Sequence, residues 1–262
     1  MKARALTIAG SDPGGGAGIQ ADLKTFAAAG VYGLSAITSV TVQDTRRFSG
    51  ALHVPPEVVA RQAEAALDDI GADAAKTGML VSAPVVKAVA SVLRAHRVKK
   101  LVVDPVLASK SGRPLLEPRA VNALIKDLLP LALVVTPNAP EAEAITGIKV
   151  TDADSACRAA KAVREMGPAF VLIKGGHLDG PSCEDLLFDG KAFTVFLSAR
   201  VKTAHTHGTG CTLSAAIAAG LALGLDVSRA VSRAKRYVDG AIKHAPGLGS
   251  GAGPLEHFWE KP

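Results

Sequence analysis

The stretch Thr206-His207-Gly208-Thr209-Gly210-Cys211-Thr212, followed by an alanine-rich run to Ala219, combines glycines, hydroxyls and a thiol. The pattern predicts a glycine-punctuated loop that opens directly into a helix. The first backbone N–H groups of a helix have no partner within it. With small residues in front of them they form a ready anion site. Cys211, one of three cysteines, stands at that helix start, where the positive end of the dipole favours a thiolate. An anion hole built from Gly208, Thr209 and Gly210 beside an activatable thiol points to transfer of a negatively charged group. Cys211 would serve as general base or as covalent nucleophile, and its bland alternative is a small buried residue. A covalent role would draw on His205 or His207, each of which could equally serve turn geometry alone.

The remaining chemistry-bearing residues fall where short apolar runs end. Ser11-Asp12 and a loop with Gly14, Gly15, Gly16 and Gly18 follow Ala5–Gly10. Lys76-Thr77-Gly78-Met79 closes a second run, and Asp104 follows Leu101–Val103. Asn138 and Glu141 follow Leu133–Thr136, and Lys174-Gly175-Gly176 follows Phe170–Ile173. Asp104 and Glu141 could hold Mg²⁺, which takes carboxylates together with phosphate oxygens and water. Asn138 could orient water or phosphate, and Lys174 could bridge phosphates as a flexible point charge. Glu141, directly after Pro140, is also a good first-turn helix acid. Asp22 lies one helical turn past the first glycine loop and faces either ligand or solvent. Neither glycine loop is followed by Gly-Lys-Ser/Thr, and neither has dinucleotide-fingerprint spacing.

The elements that must position these residues alternate. Buried-type strands at 5–10, 74–77, 101–105, 133–136 and 170–176 alternate with helical patterns at 19–29, 56–70, 82–96, 118–129, 141–146, 154–166, 209–219 and 227–244. Alternation of this kind predicts an α/β fold with a mainly parallel sheet covered on both faces, and sites at the C-terminal ends of its strands. The segments 185–188 and 192–196 read as a hairpin turning at Asp189-Gly190. The β-branched stretch from Val31 to Val54 reads as a small flap or edge. The glycine-rich tail, Gly247 to Gly253, reads as surface. No linker or repeat divides the chain, so one domain over residues 1–262 is expected.

The composition supports a full-sized core: 48% of the 262 residues are hydrophobic and 21% charged. The net charge of +6 is scattered rather than clustered, and aromatics make up only 4%, so neither nucleic acid nor a membrane surface is the expected partner. Three cysteines without C-x-x-C spacing exclude a disulfide framework and a structural zinc as expectations. The apolar run at the N-terminus is too short for a signal peptide, and no later run reaches membrane-span length. A cytoplasmic protein with reduced thiols is expected.

Taken together and in collinear order, these motifs resemble the bacterial hydroxymethylpyrimidine/phosphomethylpyrimidine kinases of thiamine synthesis. The resemblance rests on Ala5–Asp12, Gly15–Phe26, Lys76–Leu80, Val103–Val106, Lys110–Gly112, Thr136–Glu143, Lys174–His177 and Thr206–Ala219. It implies a three-layer ribokinase-like sandwich, usually dimeric, that uses ATP and Mg²⁺. Its acceptors would be a hydroxymethylpyrimidine and then the monophosphate. The resemblance puts Cys211 at the base position and the amides of Gly208 to Cys211 at the anion hole. It puts Asp104 and Glu141 on the metal, with Asn138, Lys174 and Lys235 on the nucleotide side. The pyrimidine would meet Gln43 and Asp22 as polar contacts, Met79 and Val106 as apolar walls, and Gly10. Ser109 to Pro114 matches a lid. Gly14, Asp44 and His205 depart from the residues common at those places. Relatives that act on pyridoxal can carry a second cysteine in the lid, where this chain has Lys110. The competing readings are a pyridoxal kinase of the same subfamily and a pyrimidine or nucleotide sensor without turnover.

Overall fold

A period of two inside the short apolar runs sets the architecture. Leu6 and Ile8 pack into one core layer and Ala5 into the other. Leu101 and Val103 likewise oppose Val102, and Val171 and Ile173 oppose Leu172. Strands apolar on both faces must be covered on both faces. The computed structural model describes residues 1–109, 112, 114–177, 180 and 182–260.

Among them the strands are β1 (Arg4–Ser11), β2 (Tyr32–Gln43), β3 (Phe48–His53), β4 (Ala74–Thr77), β5 (Leu101–Val103), β6 (Val134–Val135), β7 (Phe170–Ile173), β8 (Ser182–Phe188) and β9 (Phe193–Ala199). They form one sheet in the order β3-β2-β1-β4-β5-β6-β7-β8-β9. The six strands from β2 to β7 in that order pair in parallel, whereas β3, β8 and β9 are antiparallel. Helices α1 (Gly18–Ala28), α7 (Thr209–Ala222) and α8 (Val227–Lys243) cover one face. Helices α2 (Pro56–Asp69), α3 (Ala83–Ala95), α4 (Ala120–Ala123), α5 (Ala139–Thr146) and α6 (Ala153–Glu165) cover the other. The chain leaves β1 toward β2 and leaves β4 toward β5, in opposite directions along the sheet. The crevice this opens at the C-terminal strand ends is the place for a site.

Helix α7 is buried from Thr212 to Leu221 and is apolar nearly all round, as a helix enclosed between the sheet, α1 and α8 must be. Ile217 and Leu221 are almost fully enclosed there, each contributing about 1.5–3 kcal/mol of burial. Its N-terminus is thus held rigidly against the strand ends.

Three expectations are corrected. The helix expected over 118–129 is α4, then a π turn at Leu124–Leu128 and a 3₁₀ turn at Leu129–Leu131, because Pro130 has no N–H with which to continue it. The segment 31–54 supplies more than an edge: β2 is a long parallel strand against β1, and only β3 lies at the rim. The tail is surface over Gly247 to Ser250, as expected, but is tied down beyond that. Ala252 N–H donates to the Thr45 carbonyl at 2.8 Å, and Leu255 and His257 are buried. The hairpin turning at Asp189-Gly190 is present as β8–β9.

Candidate active site

Gly208 caps α7 in a left-handed conformation with φ +82°, and a Cβ there would fall 1.7 Å from the Gly16 carbonyl oxygen. The two glycine loops therefore meet where only glycine fits. No side chain caps α7. A Cβ on Gly210 would sit 3.4 Å from Lys174 Nζ and 3.7 Å from Asp104 Oδ2, so the bare backbone of this loop faces a charged cluster.

That cluster joins three strand ends. Lys174 Nζ donates to Asp104 Oδ1 at 2.8 Å and lies 3.5 Å from Glu141 Oε2. Thr136 and Ser214 hydroxyls donate to the two Asp104 oxygens, each at 3.2 Å. Burial alone would raise the Asp104 carboxyl, but Lys174 and Lys76 hold it below its usual range. Burial pushes Glu141 up to about 7, with Lys174 opposing and Asp104 adding to the rise. Lys174 is carried above its ordinary range: burial opposes this, and its two carboxylate partners outweigh burial. Asn138 and Glu141 also form a capping box, Asn138 Oδ1 accepting from Glu141 N–H at 2.9 Å and Glu141 Oε2 from Asn138 N–H at 2.8 Å. The plain role of Glu141 as a first-turn acid is thus realised along with its place in the cluster. Two hard carboxylates converging on one ammonium suit Mg²⁺ with water and phosphate completing its shell. Among the described residues, no group of three or more His, Cys, Asp or Glu side chains could hold a metal.

Beneath this lies a second, enclosed pair. Lys76 Nζ reaches both Asp22 oxygens at 2.8 and 3.0 Å, and Thr7 Oγ1 donates to Asp22 at 2.6 Å. All three residues are 0% exposed. Asp22, expected at the pyrimidine, is fully buried, with its oxygens on Lys76 and Thr7. Lys235, expected on the nucleotide side, sits in an ion pair of its own. Its Nζ is 2.8 Å from Asp185 Oδ2, and Asp185 accepts from Gly175 N–H at 2.8 Å, so the pair props the turn after Lys174 from behind. Cys211 itself is half-buried at the start of α7. Burial pushes the Cys211 thiol up to about 11, Lys76 pulling it down and Asp22 and Asp104 raising it further.

On the acceptor side, Gln43 ends β2 and Met79 follows β4. Met79 lies over Gly10, where a Cβ would meet its sulfur at 3.2 Å. Val106 is half-buried beside Asp104, its N–H donating to the Asp104 carbonyl at 2.9 Å. Next to Met79 opens a cavity of about 300 Å³, lined by Phe48, His53, Val81 and Leu116 among others. Val81 holds φ +67°, a strained conformation for a β-branched residue. Sequence reasoning missed Phe48 and Val81, which carry no motif of their own, and gave Ser214, inside the Thr206–Ala219 motif, no role. It named Lys76 without giving it a role. Of the expected lid, Lys110, Ser111 and Arg113 lie outside the described residues, and Ala108 pairs with Pro114 at its neck. His207 Nε2 meets Asp12 Oδ2 at 2.9 Å, and His205 packs under Gly253 with its Nδ1 buried and without a hydrogen-bond partner among the described residues.

The chain is 51% identical over 261 residues to a hydroxymethylpyrimidine/phosphomethylpyrimidine kinase of Rhizobium meliloti, covering 98% of each chain. It is 49% identical to a thiamine biosynthesis bifunctional protein of Geobacter sulfurreducens, of which it spans about half, 52%. A pyridoxal kinase of Bacillus subtilis, solved as an ADP complex, superposes with a TM-score of 0.94 at 38% identity, covering 100% of this chain and 99% of that one. The sequence model of the phosphomethylpyrimidine kinase family matches residues 12–256. On this agreement of motif, fold and sequence, the chain belongs to the phosphomethylpyrimidine kinase family.

Proposed function

We propose that this chain, acting as one kinase domain over residues 1–262, transfers a phosphoryl group from ATP to 4-amino-5-hydroxymethyl-2-methylpyrimidine. It then phosphorylates the monophosphate to the diphosphate, in thiamine biosynthesis. The observation that carries this reading is the uncapped N-terminus of α7 facing Lys174 and Asp104 across the space left by Gly210. Oriented amides and a fixed ammonium stabilise a phosphoryl group in flight, and such transfer asks mainly for positioning and charge. The Gly208–Cys211 amides and Lys174 hold that group. Asn138 holds Glu141 beside it. Asp104 and Glu141 would hold Mg²⁺, which when bound neutralises phosphate charge. Gln43 reads the aminopyrimidine edge, and Met79 and Val106 enclose its faces with Gly10 beneath.

Cys211 accepts the hydroxymethyl proton in its thiolate form, the minor form at neutral pH, which the nearby Lys76 ammonium favours. A thiol with so high a pKa is a strong base once ionised, and a loose transition state releases the acceptor proton late. The exposed row Val40, Leu52 and Val42 on β2–β3 supports a homodimer joined at that edge. The partners are small molecules rather than nucleic acid or membrane, and the location is cytoplasmic. Among the described residues no helix is long and apolar enough to cross a membrane.

The likeness to a pyridoxal kinase supports a second reading, in which pyridoxal is the acceptor. ATP consumption with Mg²⁺ and the pyrimidine, its monophosphate or pyridoxal, with products resolved by mass, separates the two. Diphosphate from the pyrimidine and its monophosphate is expected. Turnover of pyridoxal alone transfers the function to that vitamer, and nucleotide binding without turnover leaves a sensor.

A further inference from the structure

The glycine-rich tail, which the reaction above leaves without a task, runs between the two halves of the site. Gly251 N–H donates to Thr45 Oγ1 at 3.1 Å, and Ala252 N–H donates to the Thr45 carbonyl at 2.8 Å. Thr45 lies in the turn between β2 and β3, two residues beyond Gln43, in a turn closed by the Asp44 carboxylate on the N–H groups of Arg46 and Arg47. Just further along, the Gly253 carbonyl accepts from His207 N–H at 3.1 Å, and Pro254 pairs with His207, the residue before Gly208. The far end is anchored: His257 Nε2 meets Thr212 Oγ1 at 3.2 Å, and Tyr237 donates to the His257 carbonyl at 2.6 Å.

Glycines at 249, 251 and 253 are what let this segment lie flat. A Cβ on Gly251 would fall 2.2 Å from the Thr45 carbonyl oxygen, and one on Gly253 2.3 Å from His205 Nδ1. One strap therefore touches the turn that carries Gln43 and the loop that carries the anion hole.

We propose that Gly251 and Gly253 are positioning residues, and that the strap they form sets the separation between the acceptor turn and the phosphoryl loop. The inference rests on Gln43 meeting the acceptor, as proposed above. A reacting pair displaced by about 1 Å loses on the order of a hundredfold in rate, so a strap of this kind is felt in kinetics before it is felt in folding.

The test is steady-state kinetics, with thermal melts alongside, on Gly251→Ala, Thr45→Val and Gly253→Ala. Gly251→Ala raises the acceptor KM about tenfold with the ATP KM within about twofold. Thr45→Val removes only the hydroxyl acceptor and raises the acceptor KM about threefold even if Gly251→Ala does not fold. Gly253→Ala lowers kcat about tenfold with the acceptor KM held. An unchanged acceptor KM in Thr45→Val and Gly251→Ala overturns the proposal. So do losses in kcat and both KM values that simply track the melting temperature. If the unaltered enzyme turns over pyridoxal and not the pyrimidine, the acceptor reading fails by itself, and the same split measured on pyridoxal decides the strap.

Discussion

The loop after β1 and the loop before α7 are written in similar residues and end in opposite states. Both use glycines in left-handed conformations, Gly15 and Gly18 in one and Gly208 in the other, and both open a helix without a side-chain N-cap at the helix boundary. In the first, the protein supplies its own anion. Asp12 accepts from the N–H groups of Gly14 and Gly16 at 3.0 Å and of Ala17 at 2.8 Å, and it also meets His207. Burial would raise its carboxyl, but His207 and these amides hold it below the usual range. The second loop faces the Lys174–Asp104 pair across the space left by Gly210, and no side chain caps its helix. A glycine loop at a helix start is an anion site in either case. Whether the anion is a side chain or a ligand is decided by what the rest of the chain places in front of it.

The largest effect that would separate the two loops is expected at Cys211. Cys211→Ala should slow the first phosphorylation by about 10²–10⁴-fold, the range for loss of a general base, and the second by less than about tenfold. The second acceptor is a phosphate monoester, already largely ionised. With the thiol pushed up to about 11, the unaltered first step should also quicken with rising pH through the alkaline range while the second stays level. Equal losses in single-turnover rates for the two steps would remove the base role.

Asp12→Asn tests the occupied loop. It should cost about 1–3 kcal/mol in denaturant unfolding, as amides lose a charged acceptor, while kcat of the folded enzyme changes by less than about threefold. A tenfold shift in the ATP KM at unchanged stability would mean that this loop also meets the nucleotide, and the contrast between the loops would fall.

A smaller effect is expected at His257, which is anchored beside the second loop through Thr212. Burial, aided by Lys24, lowers its pKa from 6.5 to about 4. A depressed pKa means that the unfolded chain binds the extra proton first. Stability is therefore fully present above pH 6.5 and is lost as pH falls toward 4, by about 3 kcal/mol in all. His257→Gln should flatten that part of the stability profile, and a profile that keeps its slope would assign the acid sensitivity elsewhere.

Much of the site was legible because parallel strands are buried on both faces and therefore read as short apolar runs, with a polar residue marking each C-terminal end. Asp104, Asn138, Glu141, Lys174 and the Gly208–Cys211 loop were all placed in this way, and the structure gathers them. Pairings between residues far apart along the chain were not legible. Asp22 and Lys235 have the residue types of ligand contacts, but each spends its charge on a partner distant in sequence, Lys76 and Asp185. The Gly247–Gly253 segment looks like a solvated tail until Thr45, some 206 residues away, is folded against Gly251. The helix expected to reach Leu129 passes into a π turn at Leu124 and then a 3₁₀ turn around Pro130, a form with no signal in the sequence beyond the proline itself.

By itself, then, the sequence determined which residue types stand at the strand ends, because backbone geometry turns hydrophobic periodicity into strands and helices with little outside help. Only the tertiary structure decided which of those charges are open to a ligand and which are neutralised within. Burial and ion pairing act through space, between residues whose separation along the chain carries no signal.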